Sequence, residues 1–419
     1  MSTNSPKEYL SAHDAASFLD IRKETLYAYV SRGLVRSVLK GSTNRSKLYL
    51  LDDLERLRVR ASARGGHEAA AATAMNLGAP IVPTGITEIT PQGPRYRGRL
   101  ACALVQQEMS FENVAELLWS GQLHDHPVSW AVDKSSSGIQ SLLRTMPTNI
   151  AKHQMQEVLA LVTLQLAMGR GPLRDRLRSG RTYDAAKQVI LSLTGCFGLL
   201  GPHTKFIPVP RRSNVAQGLL YAMGSSIDPG TVRLMNALLV LMADHELSPG
   251  AFAARVAASA GASLHSCLAA ALSVSAGSEV ARLYERADQF LCSAGRATTL
   301  LRRAHVLLSS GQSIPGFHHP IYPNGDPRAK MLIELLKKHS ALSNEVQKIL
   351  RFVEQLEVEF GLQARHEVAI IAVCKAINLP TEAPSALFVL ARLAGWVAHI
   401  QEQRLSTTLL RPRARFVAG

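Results

Sequence analysis

Apolar positions recur at helical spacing along most of the chain, in amphipathic stretches broken by Gly and Pro. Clear examples run from Glu112 to Trp119, Lys152 to Ala167, Asp184 to Leu199, Thr231 to Ala243, Ala251 to Ala260 and Ala329 to Leu336. Within Leu234 to Met242 the apolar residues leave little room for a polar face, which predicts a core or subunit-interface helix. No fixed period repeats, so the pattern predicts a large helical domain starting near Met75 rather than a solenoid.

The N-terminal segment follows a different plan. Ser11 and Asp14 form a capping-box-like pair opening a helix that carries Ala15, Ala16, Phe18 and Leu19 on one side, before a break at Asp20-Ile21. A second helix starts near Arg22, packs through Leu26, Tyr29 and Val30, and stops at Gly33. Val35 to Leu50 then reads as a basic hairpin with Gly41, Ser42 and Asn44 at its tip, and Asp52-Asp53 open a further helix toward Arg60. Residues 1–62 are therefore expected to form a module of their own, 63–74 a linker, and 75–419 the main domain.

Composition narrows the class. Hydrophobic residues make up 47% and aromatics only 5%, with Ala and Leu prominent, which favours helix over an all-β design. Lys and Arg number 47 against 32 Asp and Glu, and this excess of +15 invites anionic partners such as DNA, phosphates or carboxylate metabolites. Five scattered cysteines without a C-x-x-C pair signal neither a disulfide framework nor a zinc ribbon, and suit a reducing cytoplasm. His124-Asp125-His126 and His245-Glu246 lack zinc-site spacing, so no metal and no bound cofactor are expected. No apolar run reads as a membrane span, and no membrane partner is expected.

Two segments resemble known families. "YLSAHDAASFLDIRKETLYAYVSRGLV" followed by "KLYLLDDLERL" resembles the winged helix-turn-helix of mercury-resistance regulators and excisionases, over residues 8–60. Residues 1–64 hold 12 Lys/Arg against 7 Asp/Glu, a charge of +5 that suits a phosphate-contacting surface. The resemblance makes Arg22, Lys23, Thr25, Tyr27, Arg32, Lys40 and Arg45 the candidate DNA contacts. A small dimerisation or docking module is the alternative reading of the same pattern.

In the main domain the most specific stretch is "IPGFHHPIYPNGDPRAK", residues 314–330. Adjacent histidines after Gly316, and an Arg following Asp326-Pro327, put imidazole and guanidinium groups at a loop and a helix start, where they can bind carboxylates. Together with "MADHELSPGAFAARVAASAGASLHSCLAAAL", "LFVLARLAGWVAHIQEQ", "LLRPRARFVAG" and the early "LGAPIVPTGITEITPQGPRYRGR", it resembles the citrate synthase family. That resemblance implies a mainly α fold with large and small helical domains, the small one being residues of about 275–382 inserted in the large one. It further implies a dimer, and an oxaloacetate site made by His245, His319, Arg328, Arg392 and, from the neighbouring subunit, Arg411.

The family's chemistry removes a proton from the methyl group of a coenzyme A thioester, which needs a base and an enolate-stabilising donor. By the resemblance His319 polarises the ketone and Glu367 stands where the family has an Asp base. The segment "AAALSVSAGSEVARLYERAD" is shortened where the donor histidine belongs, and no His occurs between His265 and His305. His318 replaces a family Gly, Pro320 follows where many members carry an Arg thought to reach coenzyme A, and His366 is expected to point away from the site.

Three readings follow. The favoured one is an oxaloacetate- or citrate-binding protein with weak or lost acyl-CoA condensation, acting as a DNA-binding, metabolite-responsive regulator. The alternative is a working citrate or 2-methylcitrate synthase using acetyl-CoA or propionyl-CoA. The third is a non-catalytic partner that forms mixed dimers with an intact family member.

Overall fold

The computed structural model describes residues 9–19, 21–31, 35, 37–39, 47–51, 53–54, 57, 82–130, 137–147, 150–168, 181–339, 342–406 and 408–412. The chain divides into two compact units, residues 1–83 with 302–314, and residues 84–301 with 315–419. The expected linker, 63–74, lies outside the described residues.

In the first unit a strand, Tyr9–Ser11, leads into helices Ala12–Leu19 and Lys23–Ser31, followed by strands Ser37–Leu39 and Lys47–Leu50. The three strands form an antiparallel sheet with the last in the centre, in the register Tyr9↔Leu50 and Ser37↔Tyr49. Ser11 Oγ accepts from the Asp14 N–H at 3.3 Å and donates to the Asp14 carboxylate at 2.7 Å, so the cap read from the sequence starts the first helix. Ala15, Ala16, Leu26, Val35, Tyr49 and Leu54 form the buried core, ringed by Phe18, Leu19, Tyr29 and Val30. Helical spacing of those apolar residues lets the two helices pack on each other and the first of them on the sheet.

The second unit opens with a small antiparallel sheet, Thr87–Thr90, Gly93–Tyr96 and Arg99–Leu100, and is otherwise helical. Local chemistry sets its helix starts. Asn214 makes a full capping box with Gln217, Asp228 caps Pro229–Met242 with Pro at the first turn, and Asp326 caps Pro327–Lys337 in the same way.

The centre is the helix Ala383–Leu405, which packs on Phe111–Ser120, Pro229–Met242, Pro249–Ser259 and Leu264–Ser275. This helix is long and apolar enough to cross a membrane, which corrects the reading that no such run exists. Its apolar stretch is 89% buried within the helical body, so it is the core that makes it apolar. Leu234–Met242 is likewise buried throughout except Asn236, as its composition predicts.

Polar groups inside the core fix the turn that follows Pro229–Met242. Tyr96 Oη reaches the carbonyls of Val240, Leu241 and Asp244 at 3.0–3.3 Å. Asp244 Oδ2 meets His399 Nε2 at 3.3 Å, and Gly395 N–H donates to the Ala243 carbonyl at 3.0 Å. The turn can approach only because residue 395 has no side chain: a Cβ there would stand 2.0 Å from Asp244 Oδ1. Gly395→Ala should therefore cost about 2–4 kcal/mol of stability. Urea denaturation reads this directly, and a midpoint equal to wild type would show that the turn is not held against the helix as described.

Candidate active site

One loop and one helix start are stitched together around the site. Phe317 bridges Ala364, Arg365 N–H donates to the Gly316 carbonyl at 2.8 Å, and His318 N–H donates to the Gln363 carbonyl at 3.2 Å. Gly316 sits at φ +81°, and a Cβ on it would come within 2.5 Å of Val368 Cγ2. His318 has φ +60°, in the left-handed region that favours Gly, and its side chain is exposed. His319 by contrast turns inward and is buried.

The structure brings four of the five residues expected to bind the ligand into one cluster. His245 Nε2 lies 3.0 Å from Tyr322 Oη, and the His245 and His319 rings are 6.2 Å apart. The Arg328 guanidinium lies over the Tyr322 ring at 5.6 Å. Arg392 stacks on Phe388 at 4.7 Å, and the opposite link from Phe388 is to the His366 ring at 5.3 Å. Arg411 is not part of this cluster. It is exposed on the C-terminal segment, where the neighbouring Leu410 N–H donates to Ser259 Oγ.

His366 corrects the sequence expectation. It is buried inside the cluster, with Nδ1 3.3 Å from Asp326 Oδ2, 3.3 Å from Arg328 Nη2 and 3.5 Å from Glu367 Oε2. The expectation rested on neighbouring residues pointing in different directions. His366–Ala376 is buried on all sides over residues 366–374, so adjacent residues both face protein.

Burial decides the charge states. Arg328 is gripped by both oxygens of Asp326, Nε to Oδ1 at 2.9 Å and Nη2 to Oδ2 at 2.8 Å, and this pairing raises its pKa against the cost of burial. Burial opposes ionisation of Asp326, yet Arg328 and His366 hold its carboxyl well below the usual range. Arg392 has no such carboxylate: burial and the Arg328 charge both push its pKa down. Arg328 Nη1 and Arg392 Nη1 are buried and make no hydrogen bond.

His245 and His319 are neutral. Burial, then Arg328 and Arg392, lower His245 well below its usual value. Burial, then Arg328, push His319 down to about 3. His319 Nδ1 accepts from the Ile321 N–H at 3.1 Å, which leaves the Nε2–H as the free donor of a neutral ring. Such a ring can polarise a carbonyl oxygen without delivering a full charge.

Glu367, the expected base, is buried at the first turn of His366–Ala376. Arg365 clamps both of its oxygens, Nη2 to Oε1 at 2.7 Å and Nε to Oε2 at 3.1 Å. Burial would raise this carboxyl, but His366 and Arg365 override it and hold it below its ordinary value. Near residue 276 the helices Leu264–Ser275 and Ser278–Cys292 are joined by Ala276 and Gly277 alone.

Ligand-type atoms of His319, Asp326 and His366 lie within 4.8 Å of one another, a grouping that sequence spacing did not reveal. The Asp326 carboxylate is already bound twice by Arg328, and Arg392 adds positive charge nearby. This field favours an anion over a cation.

The family model described as "Citrate synthase, C-terminal domain" matches residues 76–413. The chain belongs to the citrate synthase family. It is 27% identical to the citrate synthase of Mycolicibacterium smegmatis over 353 residues, covering 80% of this chain and 92% of that one. It is 25% identical to citrate synthase 2 of Bacillus subtilis, covering 74% and 86%, and 25% identical to 2-methylcitrate synthase 1 of Corynebacterium glutamicum, covering 80% and 92%.

The citrate synthase of Thermotoga maritima shares the fold with TM-score 0.66 at 21% identity, covering 82% of this chain and 94% of that one. That of Thermoplasma acidophilum, in a ternary complex with carboxymethyl coenzyme A and oxaloacetate, has TM-score 0.68 at 20% identity, covering 81% and 94%. The mainly helical citrate synthase fold expected from the sequence is thus established. The family match begins at residue 76 and leaves the N-terminal module outside it.

Sequence reading missed Tyr322, Asp326, Arg365 and His366 as site residues, although Tyr322 and Asp326 lie inside the 314–330 motif. Their roles depend on the fold, not on the spacing of the motif.

The neutral state of His319 has a pH signature. Its unfolded value is about 6.5. Between there and about 3 the unfolded chain binds a proton that the folded chain refuses, so stability is complete above the higher value and falls with falling pH. Denaturation between pH 7 and pH 4 should show a loss of a few kcal/mol that His319→Gln reduces. An identical acid slope in the variant would contradict the neutral buried ring.

Proposed function

We propose that this chain is a dicarboxylate-binding member of the citrate synthase family, taking oxaloacetate or citrate, with acyl-CoA condensation weak or lost. The observation that carries the proposal is the pair of buried, unpartnered Nη1 atoms on Arg328 and Arg392 beside neutral His245 and His319. Two guanidinium donors meet the carboxylates, and the Nε2–H of His319 meets the ketone or hydroxyl oxygen between them. Arg411 completes the set from a second copy in a homodimer, or in a mixed dimer with an intact family member. Arg328 and Arg392 are almost wholly buried, so ligand entry requires the small domain, residues of about 275–382, to swing open.

The acid–base half supports weak turnover. Both Glu367 oxygens are engaged by Arg365, which lowers its basicity, and the helices flanking the stretch where the resemblance places the donor histidine are joined by Ala276-Gly277 alone. Loss of one oxyanion donor costs about 3–4 kcal/mol in a transition state. A second reading is a working citrate or 2-methylcitrate synthase using acetyl-CoA or propionyl-CoA, favoured by the position of Glu367 beside His366 and by the names of the relatives.

Calorimetry with citrate and oxaloacetate, and thiol release from acetyl-CoA with oxaloacetate present, separate these readings. The expected outcome is binding of both acids, a loss of at least about a hundredfold in Arg392→Gln, and no oxaloacetate-dependent thiol release. Release abolished by Glu367→Gln would establish the synthase, and no binding of either acid would remove both.

The N-terminal module is proposed to bind DNA as a winged helix-turn-helix. Arg22, Lys23 and Tyr27 are exposed together at the Lys23–Ser31 helix, with Thr25 half-buried, while Arg32, Lys40 and Arg45 lie outside the described residues. Joined to a ligand-binding domain, such a module makes a metabolite-responsive regulator. Fluorescence anisotropy on duplex DNA should show salt-dependent binding, and replacing Arg22 and Lys23 by Ala should lower the salt slope by about 2. A slope unaffected by the double variant would place DNA elsewhere or nowhere.

A further inference from the structure

Tyr284 lies on the Ser278–Cys292 helix, which follows the two-residue joint Ala276-Gly277. It is 5% exposed, and its hydroxyl makes no hydrogen bond. The ring stands edge-on to His366 with centroids 6.3 Å apart, and 5.8 Å from Phe388, the same ring on which Arg392 stacks. Tyr284 therefore belongs to the wall formed by His366, Phe388 and Arg392, on the side of the cluster where Glu367 lies.

A phenylalanine would fill this space equally well. A buried hydroxyl without a partner weakens the folded protein, so packing gives no account of the oxygen. Among its neighbours the obvious acceptor, Glu367, has both oxygens engaged by Arg365. Burial and the Glu367 charge raise the phenol well above its usual pKa, so it stays protonated and offers a hydrogen.

We propose that Tyr284 is a ligand-binding residue whose hydroxyl donates to the arm of the ligand that lies beside Glu367. This inference rests on the dicarboxylate reading above. Oxaloacetate is held between the arginines and histidines. Citrate carries in addition a two-carbon arm ending in a carboxylate, and an acyl-CoA carries a thioester oxygen at the equivalent end. The shared feature is an electron-rich oxygen on the acyl-derived arm, which the phenol recognises from the helix that follows this joint.

The test compares wild type with Tyr284→Phe by calorimetry, using citrate and oxaloacetate as probes, together with thermal denaturation of the ligand-free proteins. The expected result is citrate affinity reduced by about tenfold or more and oxaloacetate affinity reduced by less than about threefold. The ligand-free variant should melt at the wild-type temperature or above it, which a merely structural hydroxyl would not give. Citrate binding within about twofold of wild type overturns the inference while leaving the dicarboxylate reading intact. Equal weakening of both acids overturns the assignment to the acyl-derived arm. Failure of the wild-type protein to bind either acid overturns the dicarboxylate reading and this inference with it.

Discussion

Two guanidinium groups buried within one cluster are the constraint around which this site is organised. A buried charge is tolerated only when something nearby opposes it. Arg328 has Asp326, held through two oxygens and placed by the same residue's role as a helix cap. Arg392 has an aromatic face and no carboxylate bonded to it, and burial together with the Arg328 charge lowers its pKa. Burial first, and then the Arg328 charge, keep His245 and His319 neutral. Burial and the excess of guanidinium charge thus act together on the protonation states of the cluster.

A second group of buried polar contacts holds that cluster in place from behind. Asp244 adjoins His245 in sequence and meets His399, whose other nitrogen lies 3.5 Å from Arg255. Arg255 in turn pairs with Glu402 at 2.7 Å and with Gln403 at 3.0 Å. Three of these residues sit on Ala383–Leu405, the helix that also carries Arg392. The loop bearing His245 and the helix bearing Arg392 are therefore positioned by one set of interactions. A shift of that helix would move both halves of the anion site together.

Much of this was legible in the sequence, for identifiable reasons. His245, His319, Arg328 and Arg392 were placed by the resemblance of their motifs to the citrate synthase family, and the family's fold is what brings those motifs together. The Ser11–Asp14 cap and the apolar Leu234–Met242 helix are local in the same sense. His366 was misjudged because the two-sided burial of a helix is a property of what packs around it. The Ala383–Leu405 helix was overlooked as a long apolar element because Arg392 and His399 interrupt it in sequence, whereas in the fold both find partners inside. Arg365 and Asp326 were invisible as site residues because their importance lies in the groups they neutralise.

The two changes in the carbon-acid half are physically coupled. On the proposed reading, no donor stands ready to stabilise an enolate next to Glu367, and a base that abstracts such a proton gains nothing if the product anion has no partner. Arg365 engages both Glu367 oxygens, which fixes the carboxylate in place and lowers its basicity. The anion-binding half faces no such loss, since His319 keeps its Nε2–H free and both arginines keep an unpartnered Nη1. On the proposed reading, binding and turnover depend on different atoms of the same cluster, so a change to Glu367 and its surroundings leaves the arginines and His319 able to hold a ligand.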